Sequence, residues 1–494
     1  MIDSNTLPEL KEVVSRKDRN FEPDVRLPIC VDLDGTLIRS DLLYESLLQL
    51  IRQRFFYIFL IPFWLLKGKA YLKAEIARHV VLDMDSVPIN EALVHYLRGR
   101  WALGHRLYLF TAADGSLARK IAGRFDFFDA VHASNGATNL SGVRKLASIR
   151  QHVGDDFIYA GDTDVDLPIW REAKGAIVAG SGELVRKAAL LTKVEASFPR
   201  DRQSVRVWAR ALRIHQWSKN LLVFVPFFLA GPLADFSELP DVLLGTLLLS
   251  ILASGTYIVN DLLDIQADRQ HRSKRRRPFA SGRLPIKSGL VAIPACAIVV
   301  VLLGALLPAS FLAVAVCYLG VSLAYSFILK RIAILDVIVL GGLFTSRILA
   351  GALLLAQPPS YWLLIFSFAF FFSLALVKRY SELQVVANET GGEGGARGYL
   401  VSDMPITLAL GVSSSIAALV ILVLFLVDSH FSRLVYSDPE WLWPVCVAIF
   451  YWVMRVWLLT SRGQMHDDPI VFALKDKTSL ALGLLVAASL MMAW

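Results

Sequence analysis

Cysteine is scarce in this chain. Four occur in 494 residues, none in CxxC spacing, which excludes a disulfide framework, a thiol redox motif and a cysteine zinc site. Cys30 falls in an expected strand and Cys296, Cys317 and Cys446 in expected membrane spans, so all four read as buried structural thiols. The nine histidines are scattered, which argues against zinc on imidazole. Charge is thin as well: 19% Asp, Glu, Lys and Arg stand against 55% hydrophobic residues, too apolar a balance for an ordinary soluble protein. The first residues, MIDSNTLPELKEVVSRKD, lack a basic stretch leading into an apolar core, so no secretory signal is expected and the first part of the chain is expected in the cytosol.

What is abundant is apolar sequence, and it is unevenly placed. Residues 1–216 read as soluble, whereas 217–494 hold one run of spanning length after another. Nine spans are expected, near 218–235, 242–260, 288–307, 310–329, 334–355, 361–378, 405–427, 440–459 and 478–494. The net charge of +8 raises the question of nucleic acid, but its distribution answers it. Loops 261–287, 330–331, 378–404 and 460–477 carry 8, 2, 3 and 3 Lys and Arg, while the intervening loops hold only Arg433. That bias is the mark of a multi-pass inner-membrane protein with its basic loops and N-terminal domain in the cytoplasm and its C-terminus outside; no nucleic-acid partner is expected. The expected domains are 1–199, soluble α/β; 200–217, an interfacial linker; and 218–494, an all-α polytopic bundle.

In the first domain, LPICVDLDGTL (27–37) runs an apolar strand into two aspartates and a glycine turn. Asp32 there can attack phosphorus, and Asp34, two residues on, can protonate a leaving alkoxide and then activate water. A second strand, LYLFTAAD, carries Thr111, whose hydroxyl suits a phosphoryl oxygen. Lys145 can neutralise a phosphoaspartate, and IYAGDTDVD supplies Asp162 and Asp166, which with Asp32 offer Mg²⁺ its carboxylate oxygens. Asp41, Asp114 and Asp164 read as turn or capping residues. Over roughly 25–195, these pieces resemble the haloacid dehalogenase superfamily in type, order and supporting strand. The resemblance implies a Rossmann-like Mg²⁺-dependent phosphomonoesterase, with residues 42–100 as a helical cap. Within that cap, FFYIFLIPFWLL (55–66) lies between Arg52, Arg54, Lys67 and Lys69. It is too short to span and suits the bilayer interface, with a buried cap helix as the other reading.

The linker region, RDRQSVRVWARALRIHQWSKN (200–220), spaces Val205, Trp208, Ala209 and Leu212 as a basic amphipathic helix on the membrane. After the second span, YIVNDLLDIQADRQHRSKRRRPFASGRLP places Asn260, Asp261, Asp264 and Asp268 at helical spacing. If the helix continues, the three carboxylates share one face at the cytoplasmic end of the span, where such charge is expensive unless it holds Mg²⁺ and a diphosphate. Lys274 and Arg277 lie in the basic stretch beyond, as anchors or substrate ligands. A second acidic site is expected where Tyr325, Lys330 and Asp336 surround the next cytoplasmic loop. Arg347, inside the fifth span, is expected to meet a phosphate or one of these acids. Lys378 and Arg379 read equally as anchors and as lipid-phosphate ligands. The glycine-rich 391–399 looks like a loop able to close over the site, with Tyr399 as its anchor.

NDxxDxxxD with a later acidic site resembles the UbiA superfamily over roughly 210–494. HQWSKNLLVFVP, LAYSFILK, SRILAG and KRYSEL are similar to its decaprenyl-phosphate phosphoribosyltransferase branch. That resemblance implies transfer of phosphoribose from phosphoribosyl diphosphate to a polyprenyl phosphate. Mg²⁺ is implied on Asp261, Asp264 and Asp268, with Asn260 beside them, and Lys219, Arg347, Lys378 and Arg379 on the anionic substrates. The product keeps a 5-phosphate monoester, which the first domain is suited to remove. Two other readings stand beside this one: an aromatic-acceptor polyprenyltransferase, and a phosphatase anchored by a non-catalytic lipid-phosphate-binding bundle. An oligomer is compatible with all three.

Overall fold

The computed structural model describes residues 26–199, 204–230, 235–356, 358–390, 394–427, 436–465 and 469–493. Contacts divide the chain into two compact units, one of residues 1–46 and 56–200 and one of 47–55 and 201–494.

In the first unit the apolar runs become six strands: β1 (Ile29–Val31), β2 (Leu107–Asp114), β3 (Ala130–Ser134), β4 (Ile158–Gly161), β5 (Gly175–Val178) and β6 (Val194–Ser197). They form one parallel sheet in the order β3-β2-β1-β4-β5-β6. A parallel sheet is covered on both faces, which is why ICV and IYAG are apolar at every position and fully buried. Phe110, Phe157, Tyr159 and Trp170 fill its core. The chain leaves β1 toward β2 on one side, while β4 to β6 extend on the other. Such a reversal opens a crevice at the carboxyl ends of the strands it separates.

Four helices separate β1 from β2: α1 (Leu42–Gln53), whose residues from Leu47 on count with the second unit, α2 (Ile61–Leu66), α3 (Lys69–His79) and α4 (Glu91–Ala102). The remaining helices of this unit are α5 (Gly115–Ala122), α6 (Val143–His152), α7 (Leu167–Glu172) and α8 (Gly182–Ala189). Residues 55–66 form a 3-10 turn followed by α2, and none of them is buried. Phe56, Phe59, Phe63 and Leu66 are 80%, 65%, 64% and 84% exposed. The buried-helix reading therefore does not hold. Trp64 instead stacks on His79 of α3 with ring centroids 5.7 Å apart, which braces the segment from behind.

The second unit opens with α9 (Val205–Ala211), α10 (Val225–Leu229), α11 (Leu239–Leu263) and α12 (Ile265–Gln270). It continues with α13 (Ile286–Gly304), α14 (Ala309–Phe327), α15 (Leu335–Ala352), α16 (Tyr361–Thr390) and α17 (Met404–Val427), followed by Trp443–Ser461, Pro469–Lys475 and Lys477–Ala493. Among the described residues seven helical stretches are long and apolar enough to cross a membrane: Phe236–Leu263, Ile286–Gly304, Ala309–Phe327, Leu335–Ala352, Tyr361–Asn388, Val401–Val427 and Pro439–Ser461.

Two of the nine expected spans differ. The first is a 3-10 run, Ile214–Phe224, that passes into α10 at Pro226, a residue without an N–H to carry the ladder on; its end, 231–234, lies outside the described residues. The last is the 17-residue apolar helix Lys477–Ala493. The expected linker helix is also shorter: it stops at Ala211, and Arg213 takes a left-handed backbone with φ 51°. Arg433 lies outside the described residues.

Candidate functional site

At the carboxyl end of β1 the register sets Val31 beside Leu109 on one side and Ala160 on the other. Asp32, Thr111 and Asp162 follow these residues by one or two positions, so three separated stretches of sequence meet at one point. One carboxylate oxygen from each of Asp32, Asp162 and Asp166 lies within 4.8 Å of the other two. Gly161 permits this closeness, because a Cβ there would sit 2.7 Å from Asp166 Oδ2. Asp166 is fixed by the N–H groups of Asp162 (3.0 Å) and Thr163 (3.1 Å). Lys145, 3% exposed, places its ammonium 2.8 Å from Asp32 Oδ2 and donates to the Tyr159 hydroxyl at 3.0 Å. That hydroxyl in turn donates to Asp166 Oδ1 at 3.0 Å. Tyr159 was missed by sequence reasoning because it sits in a strand as an ordinary core aromatic. Thr111 is fully buried, and its Oγ1 accepts the Ala113 N–H at 3.0 Å.

Burial pushes Asp32 up, Lys145 opposes it and Asp166 adds to it. For Lys145, burial pulls downward, but the charges of Asp32 and Asp166 prevail and leave it raised. Asp34 accepts the Leu42 N–H at 2.9 Å; burial first and the Asp41 charge second hold it well above the usual carboxylate range. Both carboxyls are thus pushed upward, and only Asp32 has an ammonium against it to oppose the push. Three hard-oxygen carboxylates in one cluster suit a Mg²⁺ ion. Asp41 caps α1 through the Leu43 N–H, Asp114 caps α5 through the Ser116 N–H, and Asp164 pairs with Lys187 at 3.0 Å.

The acids of the second unit are arranged otherwise than the sequence suggests. The α11 helix ends at Leu263 and the backbone turns at Asp264 (φ −92°, ψ 9°) before α12, so the expected single face is broken. Asp261 and Asp268, 2% and 3% exposed, stay together: Arg277 reaches Asp261 at 3.1 Å and Asp268 at 2.7 Å. Arg213 also pairs with Asp261, and its guanidinium lies 4.6 Å from the centre of the Tyr257 ring. Asp264 instead faces Lys330 at 3.5 Å. Among the described residues the three acids therefore do not form one metal cluster. Asn260 donates to Ser326 at 2.8 Å. Burial pushes Asp268 up while Arg277 opposes it; Lys274 is lowered by burial and by Arg277, with Asp268 countering. Arg213 was missed because nothing in its sequence neighbourhood distinguishes it from other linker arginines.

The second acidic site also divides. Lys330 leaves it for Asp264, while Tyr325 and Asp336 converge on Arg379. Asp336 is fully buried and Arg379 2% exposed; Arg379 pairs with both Asp336 and Glu382 and donates to the Tyr325 hydroxyl at 3.1 Å. Tyr399 does anchor its loop: its hydroxyl donates to Asp336 at 2.7 Å and accepts the Ile334 N–H at 2.7 Å. The loop is a small hairpin, Gly395–Ala396 against Tyr399–Leu400, turning through Arg397 and Gly398 at positive φ; residues 391–393 lie outside the described ones. Arg347 does not reach the acids named beside it as an alternative to a phosphate. It meets neither acidic group but donates to Asn220 (2.8 Å), to the Tyr318 hydroxyl (2.8 Å) and to the Leu343 carbonyl. Its guanidinium and the Lys219 ammonium lie 5.4 and 5.6 Å from the centre of the same ring, that of Phe344. Lys378 precedes Arg379 in α16 and is half-buried.

Apolar helices carrying buried charge define a multi-pass membrane protein with an internal polar site. The family model for UbiA prenyltransferases matches residues 221–476, more than half of the chain, and the chain belongs to that family. It is similar to the uncharacterized protein y4nM of Sinorhizobium fredii, 40% identical over 95% of this chain and 92% of that one. It is also similar to nodulation protein NoeC of Azorhizobium caulinodans, 35% identical over 55% of this chain and 88% of that one. Decaprenyl-phosphate phosphoribosyltransferase of Mycolicibacterium smegmatis is 36% identical over 37% of this chain and 59% of its own length.

Proposed function

We propose that the second unit transfers phosphoribose from phosphoribosyl diphosphate to a polyprenyl phosphate such as decaprenyl phosphate, and that the first, a haloacid dehalogenase-type phosphatase, then removes the 5-phosphate. The observation that carries the first half is the pair Asp261 and Asp268 held on Arg277 and Arg213 at the end of α11, together with likeness to decaprenyl-phosphate phosphoribosyltransferases. Asp261 and Asp268 would hold the metal, with Arg213 and Arg277 beside them for the diphosphate. Magnesium bound there supplies charge neutralisation for the leaving group. The oxygen of the lipid phosphate attacks the anomeric carbon, the bond from that carbon to the diphosphate oxygen breaks, and diphosphate departs. Arg213 and Arg277 stabilise its charge. Lys219, Arg347 and Lys378 are assigned to the lipid phosphate, and Asp336, Arg379, Tyr325 and Tyr399 to holding the loop over the site.

For the first unit the supporting observation is the acidic cluster at the end of β1 with Lys145 against Asp32. The Asp32 carboxylate attacks phosphorus and Asp34 gives its proton to the leaving alkoxide. Water, deprotonated by the same Asp34, then frees inorganic phosphate from the aspartyl ester. Magnesium on Asp32, Asp162 and Asp166 supplies charge for the phosphoryl oxygens. Tethering raises the local concentration of the lipid intermediate. Both sites are assigned to the cytoplasmic side of an inner membrane, following the basic loops. The test is purified full-length protein with Mg²⁺, radiolabelled phosphoribosyl diphosphate and decaprenyl phosphate. Label in a phosphoribosyl lipid that accumulates only in Asp32→Asn, and is absent in Asp261→Asn, supports both steps. No labelled lipid in any variant overturns the reading in favour of an aromatic acceptor.

A further inference from the structure

Beside Asp34 the first unit contains a small recess, partly open to solvent, between the inserted helices and the sheet. Leu42, Leu43 and Ser46 of α1 form one wall and Asp114 and Leu117 at the start of α5 another, with Lys73 of α3 between them. The pocket adjoins the catalytic acid through bonded geometry: the Leu42 N–H that lines it donates to Asp34 Oδ1 at 2.9 Å. An alkoxide that takes its proton from Asp34 therefore has its carbon skeleton directed toward this space.

Lys73 is the one cation in the lining. Its ammonium donates to the Ala112 carbonyl at 2.6 Å and to Asn139 Oδ1 at 3.0 Å. Both acceptors are neutral, and an ammonium has three hydrogens. Ala112 follows Thr111, so the same contact ties α3 to the strand that carries the phosphoryl-binding hydroxyl. Half-buried and near Asp34 and Asp41, Lys73 brings a cation to the leaving-group side of the reaction, opposite in role to Lys145 on the nucleophile. A surface lysine anchored only for stability has no need of a cavity, and a purely apolar leaving group has no use for an ammonium there.

We infer that this pocket is the leaving-group subsite of the phosphatase and that Lys73 is its specificity-determining residue, selecting phosphate esters whose neighbouring carbons bear hydroxyl or anionic oxygens, as in a sugar phosphate. The inference rests on the phosphatase reading of the first unit. Lys73 donates its third N–H to an oxygen on the leaving group, while Leu42, Leu43 and Leu117 cover the carbon skeleton. No bond to Lys73 forms or breaks; it orients the ester so that its bridging oxygen faces Asp34.

Full-length protein with Mg²⁺ is assayed on ribose 5-phosphate and on butyl phosphate, as wild type, Lys73→Met, Lys73→Arg and Asp32→Asn. Removing a charged hydrogen-bond donor is expected to lower kcat/KM for ribose 5-phosphate by ~10- to 100-fold, mostly through KM, and that for butyl phosphate by only a few-fold. Lys73→Arg is expected to recover part of the preference. Equal losses on both esters, or a loss confined to kcat, would make Lys73 a structural brace and overturn the inference while leaving the phosphatase standing. Wild type that cleaves neither ester faster than Asp32→Asn would overturn the phosphatase reading itself.

Discussion

Asp32 and Asp34 are two residues apart in one turn, yet their surroundings differ. Asp32 is held by the Lys145 ammonium at 2.8 Å, which opposes the upward push of burial. Asp34 accepts a backbone N–H, and burial with a neighbouring acid holds it well above the usual carboxylate range. Asp32→Asn is expected to lower phosphate release by on the order of 10³-fold or more, measured on a small phosphate ester with protein of unchanged thermal stability. Asp34 carries a consequence for stability as well. Its folded pKa is raised above the unfolded value, so its favourable contribution is complete below about pH 4 and is lost as pH climbs through the raised folded pKa. Asp34→Asn, which cannot ionise, is therefore expected to melt higher than wild type at pH 8. The gain is expected to shrink to nothing near pH 4 in thermal unfolding followed across that range.

At the scale of elements, the strands were legible and the acidic helix was not. Apolar runs ending in Asp32, Thr111 and Asp162 could be read directly, because a buried parallel strand leaves its chemistry at one end. The run from Asn260 to Asp268 has perfect helical spacing, but spacing does not reveal that α11 stops at Leu263 and sends Asp264 to Lys330. Arg213 and Lys73 were illegible for a related reason: each becomes a site residue only through a fold contact distant in sequence, with Asp261 and with Ala112. Arg347 was read as meeting a phosphate or an acid; among the described residues no acid reaches it, and Asn220 and Tyr318, neutral and remote in sequence, take two of its N–H groups. The arrangement at the end of α11 predicts that Arg277→Leu, which strips both Asp261 and Asp268 of a partner, lowers lipid-linked transfer by about 100-fold. Arg277→Lys, which lacks the forked geometry, is expected to recover only part of it in the same radiolabel assay. At the hairpin, Tyr399→Phe removes the donor to buried Asp336 and the acceptor of the Ile334 N–H. A loss of about 1–3 kcal/mol in anchoring is expected, seen as faster proteolytic cleavage within 394–400.

For the whole molecule, the distribution of basic residues makes a directional prediction. In a cysteine-free background in inverted and right-side-out vesicles, Arg272→Cys, in the acidic and basic loop after α11, is expected to react with a membrane-impermeant maleimide only from the cytoplasmic side. Ser237→Cys, at the other end of the same span, is expected to react only from outside. Reversed labelling would turn the bundle over and remove the cytosolic sugar diphosphate from reach of its acids.

The strand order of the first unit also sets a timetable for synthesis. The central strand, Ile29–Val31, is made first but bonds on one side to β2 and on the other to β4, and the sheet is complete only with Ser197. Among the described residues the earliest helical stretch long and apolar enough to cross a bilayer begins at Phe236. The nascent chain thus has the whole six-stranded sheet translated before that helix emerges, so the first unit can fold at the ribosome while its long-range parallel pairings are still free of competing apolar helices.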